Sequence, residues 1–149
     1  MERVRIRHAT PGDAAAVTGL MAQLAEFGHG TVADGVARRL SVILGRSDYA
    51  VFVAEQADEQ VVGLLTVSQR LTLWHAGPVA LIEELVVDRA ARGKGIGRTL
   101  IATALEWARS QGCSELEVST EMDNQAAQAF YQRVGFTQGA LLLEYDLET

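Results

Sequence analysis

Cysteine, proline and lysine are all scarce in this chain. Among 149 residues there are one cysteine and two prolines. The lone Cys113 excludes an internal disulfide and any zinc site built on cysteines. Two prolines beside 14 glycines exclude collagen-like or linker-like character. No apolar run approaches the roughly 18 residues of a membrane span. The opening Met1-Glu2-Arg3-Val4-Arg5-Ile6-Arg7 lacks the apolar stretch of a secretory signal. The expected compartment is therefore a reducing cytoplasm, with no membrane partner. Positive charge is short as well: 13 basic residues face 19 acidic ones, for a net charge of −6 and a pI near 5.0. Nucleic-acid binders draw affinity from a basic surface that neutralises phosphates, so no nucleic-acid partner is expected.

What is present reads as an ordinary globular chain. Hydrophobic residues make up 48% and charged residues 21%, which argues against disorder. The length predicts one domain, residues 1–149, able to bury about two-thirds of its unfolded surface. The few positive charges are unevenly placed. Arg89, Arg92, Arg98 and Lys94, the sole lysine, fall within ten residues. A local basic cluster on an acidic chain suits a small anionic ligand better than a polymer.

Periodicity supplies the elements. Residues 3–7 alternate as a half-buried strand. Thr10 then serves as a helix cap, with Pro11 in the first turn and Asp13 at the positive end of the dipole. Val17, Leu20, Met21 and Leu24 mark that helix, and a second is predicted over about 33–44. Residues 49–55 and 61–67, the latter extendable to 73, form an antiparallel hairpin, and 79–87 form a further strand. A helix follows from Ile96 to a stop at Gly112, then a strand over 115–119. Asp123-Asn124 cap a helix whose core face is Ala126, Phe130 and Val134, and a last strand covers about 140–147. The order predicts an α/β (α+β mixed) twisted sheet of about six to seven strands with helices on both faces.

The most informative stretch is the strand 81–87 feeding Arg92-Gly93-Lys94-Gly95-Ile96-Gly97-Arg98 at the mouth of a long helix. The first amides of a helix have no intrahelical acceptor, and the dipole places partial positive charge there. Glycines let those amides approach phosphate oxygens. The string is not a P-loop, which needs G-x-x-x-x-G-K-[ST]. A dinucleotide fingerprint needs G-x-G-x-x-G in the first βαβ unit, and Glu117, at the distance of a ribose-binding acid, reads as mid-strand.

The pattern Arg92-x-x-Gly95-x-Gly97 after Leu85-Val86-Val87-Asp88 resembles motif A of the GCN5-related N-acetyltransferase (GNAT) superfamily. Asn124, then Tyr131 seven residues on, then Gly135-Phe136 resembles that family's motif B. Ile6-Arg7-x-Ala9-Thr10-x-x-Asp13 is similar to its usual opening. The resemblance implies a GNAT fold that binds acetyl-CoA as co-substrate where two parallel strands, 81–87 and 115–119, splay apart. It implies that Leu85, Val86 and Val87 pair with the pantetheine arm. The turn Arg92, Gly93, Lys94, Gly95, Ile96, Gly97 and Arg98 would hold the pyrophosphate, and Asn124 would contact the cofactor. Tyr131 would sit near the thioester and protonate the departing thiolate. No metal is implied.

The residue types suit acetyl transfer. An amine must lose its proton before attack, its ordinary pKa being near ~10.4. A strand N–H can stabilise the oxyanion, and a phenol can protonate the thiolate. Glu84, then Glu83, are the favoured bases; as consecutive strand residues they are expected to face opposite sides of the sheet. Glu117 and Glu121 are rivals. Cys113 reads as a small hydrophobe, His29 and His75 as idle loop residues, and Trp74 as an acceptor wall or a plug at the sheet's end. The expected acceptor is a small-molecule primary amine. The alternatives are a protein N-terminal or lysine acetyltransferase, a non-catalytic CoA-binding sensor and a dinucleotide-dependent oxidoreductase. Monomer and homodimer are both compatible with the sequence.

Overall fold

The computed structural model describes residues 3–28 and 30–148; His29 lies outside them. The chain divides into two compact units, Met1–Val118 and Ser119–Thr149. The first holds β1 (Val4–His8), a short 3-10 turn (Pro11–Asp13), α1 (Ala14–Ala25), α2 (Val36–Leu44), β2 (Tyr49–Gln56), β3 (Val61–Arg70), β4 (Val79–Val87), a second 3-10 turn (Arg89–Ala91), α3 (Ile96–Ser110) and β5 (Glu115–Val118). The second holds α4 (Gln125–Arg133).

The five strands form one sheet in chain order. The first three pairings are antiparallel, and β4 pairs with β5 in parallel. α1 and α2 cover one face, where Val17, Leu20 and Leu40 meet Val51, Val53, Leu64 and Val86. α3 covers the other with its buried stripe Ile96, Leu100, Ile101, Ala104 and Ala108. Its seat requires a glycine: a Cβ at Gly63 would lie 3.1 Å from both Ala54 Cβ and Leu100 Cδ1. A mixed sheet with helices on both faces is the predicted class.

The N-terminal signal works through an ion pair. The Thr10 N–H donates to Asp13 at 2.8 Å, and Arg7 donates to both oxygens of that buried carboxylate at 2.9 Å. Hydrogen bonding from Arg7 holds the Asp13 carboxyl below its ordinary range. α2 begins at Val36 rather than near residue 33. Gly35 adopts a left-handed φ of 89°, and Arg39 engages the carbonyls of Asp34 and Ala33 at 2.6 and 2.9 Å, so the chain before Val36 is tied as a turn.

Two expectations fail. Residues 140–147 form no strand, so the sheet among the described residues has five strands, not six or seven. The segment is apolar, with four leucines, but has only Tyr145 among the favoured strand residues; a strand exists only when a neighbour accepts its ladder, and Leu141, Leu143, Tyr145 and Leu147 stay exposed. On α4, Phe130 and Val134 are half-buried as predicted, but Ala126 is exposed; Ala127 and Tyr131 complete the stripe.

Candidate functional site

β4 is longer than its parallel neighbour can follow. β5 pairs with Val79–Ile82 and ends at Val118 opposite Ile82. From Glu83 to Val87, β4 continues to pair with β3 on one edge only. Its other edge, which carries the backbone groups of Leu85 and Val87, has no strand partner among the described residues; those of Val86 turn toward β3, in phase with the Asp88 N–H to Val62 O bond, which corrects the expectation for Val86. An edge of this kind is a row of unspent donors and acceptors.

That edge runs into the mouth of α3. Gly93 and Gly95 have φ of 79° and 81°, a left-handed conformation that side chains resist. Gly95 caps the helix, and the first intrahelical bond is Thr99 N–H to Gly95 O at 3.1 Å. The amides of Ile96, Gly97 and Arg98 therefore have no acceptor inside the helix. No atom lies within 4 Å of a Cβ built at Gly93 or Gly95, so the mouth has room for an anion. A cavity of about 690 Å³ opens beside it, lined by Gly93, Lys94, Gly95 and Thr99 on one side and Val4 and Gln56 on the other. Ile96 is buried and anchors the first turn.

Contacts of Arg92 and of residues outside the turn brace it. Arg92 donates from Nε to Val87 O at 3.0 Å and lies 4.4 Å over the Phe27 ring. Gln23 of α1 donates to Asp88 at 3.1 Å and accepts the Arg89 N–H at 3.0 Å. Arg89 also pairs with Glu26. Sequence inspection missed Gln23 and Phe27, because a helix-end glutamine and a loop phenylalanine carry no local signature.

The two glutamates depart from expectation. Thr66 pairs with Glu84 while the next residue, Val67, pairs with Ile82, so Glu83 is an extra residue in β4, a β-bulge. β3 itself stays regular against β2 here, with Val51, Ala50 and Tyr49 opposite Thr66, Val67 and Ser68. Thr66 and Ser68 thus share a face. Thr66 Oγ1 donates to Glu84 Oε1, and Ser68 Oγ donates to Glu83 Oε2 at 2.8 Å. Glu83 and Glu84 therefore address the same face, not opposite ones. Glu117 joins them: its register partner Leu81 lies opposite Ser68, and it pairs with Arg70 at 3.5 Å. Burial raises the Glu84 carboxyl above its ordinary range; the Thr66 hydrogen bond opposes this, neighbouring Glu83 adds to it and Arg39 reduces it.

In the second unit, Asn124 caps α4 by accepting the Ala127 N–H at 3.0 Å. Tyr131 packs edge-on between Phe130 and Phe136, with ring centroids at 5.4 and 5.7 Å. Burial raises its phenol above the ordinary value, so it stays protonated through neutral pH. The Glu121 carbonyl accepts the Asn124 N–H at 3.0 Å. Elsewhere, His75 is tied to Glu115 at 3.4 Å and to Thr72 at 3.2 Å. Trp74 is 90% exposed, which excludes its role as a plug. Cys113 is half-buried, and burial raises its thiol, the reverse of what a nucleophile needs. No group of metal-ligating side chains occurs among the described residues, and none of their helices is long and apolar enough to cross a membrane.

Comparison with known proteins points the same way. Residues 20–136 match the model of the acetyltransferase (GNAT) family. The chain is 35% identical over 136 residues to an aminoglycoside N(6')-acetyltransferase type 1 of Stenotrophomonas maltophilia, covering 89% of this chain and 86% of that one. It is 33% identical over 135 residues to an aminoalkylphosphonate N-acetyltransferase of Salmonella typhimurium, covering 89% and 84%. A solved aminoglycoside N-acetyltransferase in complex with CoA superposes with a TM-score of 0.84 at 24% identity, covering 100% of this chain and 97% of that one.

Proposed function

Because the chain belongs to the GNAT family of acetyltransferases and is an acetyl-CoA-dependent N-acetyltransferase, we propose that it acetylates a primary amine of a small polycationic molecule. Acetyl-CoA is the co-substrate, and in this reading transfer is direct, within a ternary complex and one catalytic domain covering residues 1–149. A cytoplasmic location belongs to the same reading.

The free edge of β4 and the open mouth of α3 support a cofactor path. Backbone groups of Leu85 and the Val87 N–H pair with the pantetheine amides. The amides of Gly93 to Arg98 hold the pyrophosphate, with Arg92, Lys94 and Arg98 adding positive potential, and Asn124 contacts the cofactor from the start of α4. Glu84 takes the proton of the acceptor ammonium, and the freed amine attacks the thioester carbonyl, forming the C–N bond of a tetrahedral oxyanion. A β4 amide stabilises the oxyanion. The thioester bond then breaks, and Tyr131 gives its proton to the CoA thiolate.

The observation that carries the acceptor class is the shared face of Glu83, Glu84 and Glu117. Even with Glu117 offset by Arg70, Glu83 and Glu84 attract a polycation and repel a phosphonate, so of the acceptor types named among the relatives the aminoglycoside type fits better. The test is CoA thiol release with a panel: kanamycin, spermidine, an aminoalkylphosphonate, and peptides with a free N-terminus or lysine. Release with kanamycin or spermidine and not with the phosphonate is expected. Release with the peptides alone would replace the reading with a protein acetyltransferase. Acetyl-CoA binding without release to any amine would make the chain a sensor.

A further inference from the structure

The bulge at Glu83 leaves one hydroxyl in an unusual position. Thr66 lies on β3, 6% exposed, in an otherwise apolar run from Gly63 to Val67. Its Oγ1 accepts the backbone N–H of Glu84 at 3.0 Å and donates its proton to Oε1 of the same residue. One hydroxyl thus holds both the backbone and the carboxylate of Glu84. A β-bulge disrupts the ladder locally and leaves backbone groups to be satisfied by other means; here the hydroxyl satisfies the Glu84 amide. The same contact fixes the carboxylate's rotamer and occupies one oxygen, so Oε2 is the oxygen left to face a substrate proton.

We propose that Thr66 is the positioning residue for Glu84: its hydroxyl locks the carboxylate at the bulge, aimed through Oε2 at the acceptor amine. This rests on the reading of Glu84 as the base. Serine would serve as well as threonine, because the function lies in the hydroxyl. Valine has nearly the same shape and lacks the donor and acceptor. The charged groups bearing on Glu84 are Glu83, from the same strand, and Arg39, from α2. Glu83 disfavours its charge and Arg39 favours it, and neither contributes a hydroxyl that could replace Thr66.

The experiment compares Thr66→Val, Thr66→Ser and Glu84→Gln with the parent. Turnover against pH is measured by thiol release with the panel member that reacts fastest, kanamycin on the present reading. In parallel, the Glu84 carboxyl is titrated by NMR in protein carrying ¹³C-labelled glutamate, which needs no acceptor. For Thr66→Val the expected result is a turnover loss of about tenfold or more, a KM for acetyl-CoA unchanged within twofold, and an acidic limb and NMR midpoint both moved to higher pH. Serine restores turnover, limb and midpoint. Removing a donor to a carboxylate disfavours its charged form, which sets the sign. If the valine variant fails to fold by circular dichroism, Thr66→Ala takes its place. A parent-like NMR midpoint and limb in the hydroxyl-less variant would overturn the proposal, as would failure of serine to rescue. Parent-like turnover in Glu84→Gln would instead remove Glu84 as base, and the role of Thr66 with it.

Discussion

Two glycines flank α3, and together they make an internally controlled test of where the cofactor binds. Gly95 precedes the helix with φ of 81°, and Gly112 follows it with φ of 75°. At neither position does an added Cβ meet any atom within 4 Å. Alanine at either site therefore incurs the same backbone penalty and no steric one, roughly 1–2 kcal/mol for a left-handed residue. For a chain of this size that lowers the melting temperature by about 2–8 °C, and the two variants should fall together. Binding should separate them. A methyl at Gly95 stands at the amides expected to hold the pyrophosphate, whereas Gly112 lies at the opposite end of the helix. The fifteen residues of α3 place the two ends about 22 Å apart at 1.5 Å per residue. Gly95→Ala should weaken acetyl-CoA at least tenfold, about 1.4 kcal/mol, and Gly112→Ala less than twofold. Isothermal titration calorimetry supplies both constants and differential scanning fluorimetry both melting points. Equal acetyl-CoA affinities in the two variants, at matched stability, would refute the assignment of the α3 mouth as the phosphate site.

Tyr131→Phe should lower turnover by about 10²–10⁴-fold and leave acetyl-CoA affinity nearly unchanged, since only the acidic proton is removed; steady-state kinetics at saturating substrates decides it, and parent-like turnover with chemistry rate-limiting would sink the role. Asp13→Asn should destabilise the fold by about 1–3 kcal/mol at neutral pH, because it breaks the pairing with Arg7. The native Asp13 carboxyl lies below its unfolded value. Its stabilisation is therefore complete above the unfolded pKa of about 3.9 and is lost as pH falls through the lower folded value. Urea unfolding of parent and variant from pH 7 to pH 2 should show the gap closing in acid.

The sequence spoke most clearly where chemistry and backbone geometry depend on the same residue. Glycines at 93 and 95 predict a turn, and the turn is there, with both in the left-handed conformation that favours glycine; the bounds predicted for β4 are those found. It was silent where geometry arises between strands. Alternation with a period of two places consecutive residues on opposite faces, and it cannot register a residue inserted in one strand alone. That is why Glu83 and Glu84 were expected to part and do not. Thr66 is invisible for the same reason: a threonine in a buried strand is ordinary until the strand beside it carries a bulge. The predicted strand over 140–147 shows the complementary error, an apolar run read as a strand without a partner to complete it.

The bulge has one more consequence, for the chain's tolerance of change in length. Glu83 is the only residue by which β4 exceeds β3 along their shared ladder, since Glu84 and Ile82 face adjacent residues of β3. Loss of Glu83 alone would leave Glu84 opposite Thr66 and Ile82 opposite Val67, with every apolar side chain still on its own face. The sheet would be more regular and its hydrophobic phase intact; loss of Glu84 gives the same chain, since both are glutamates, whereas deletion elsewhere within the strand moves side chains to the opposite face. Most of β4 is thus fixed in length by the core, and its one expendable residue sits where β5 stops following it. Regularity and usefulness are separable at that point, and the fold keeps the irregular version.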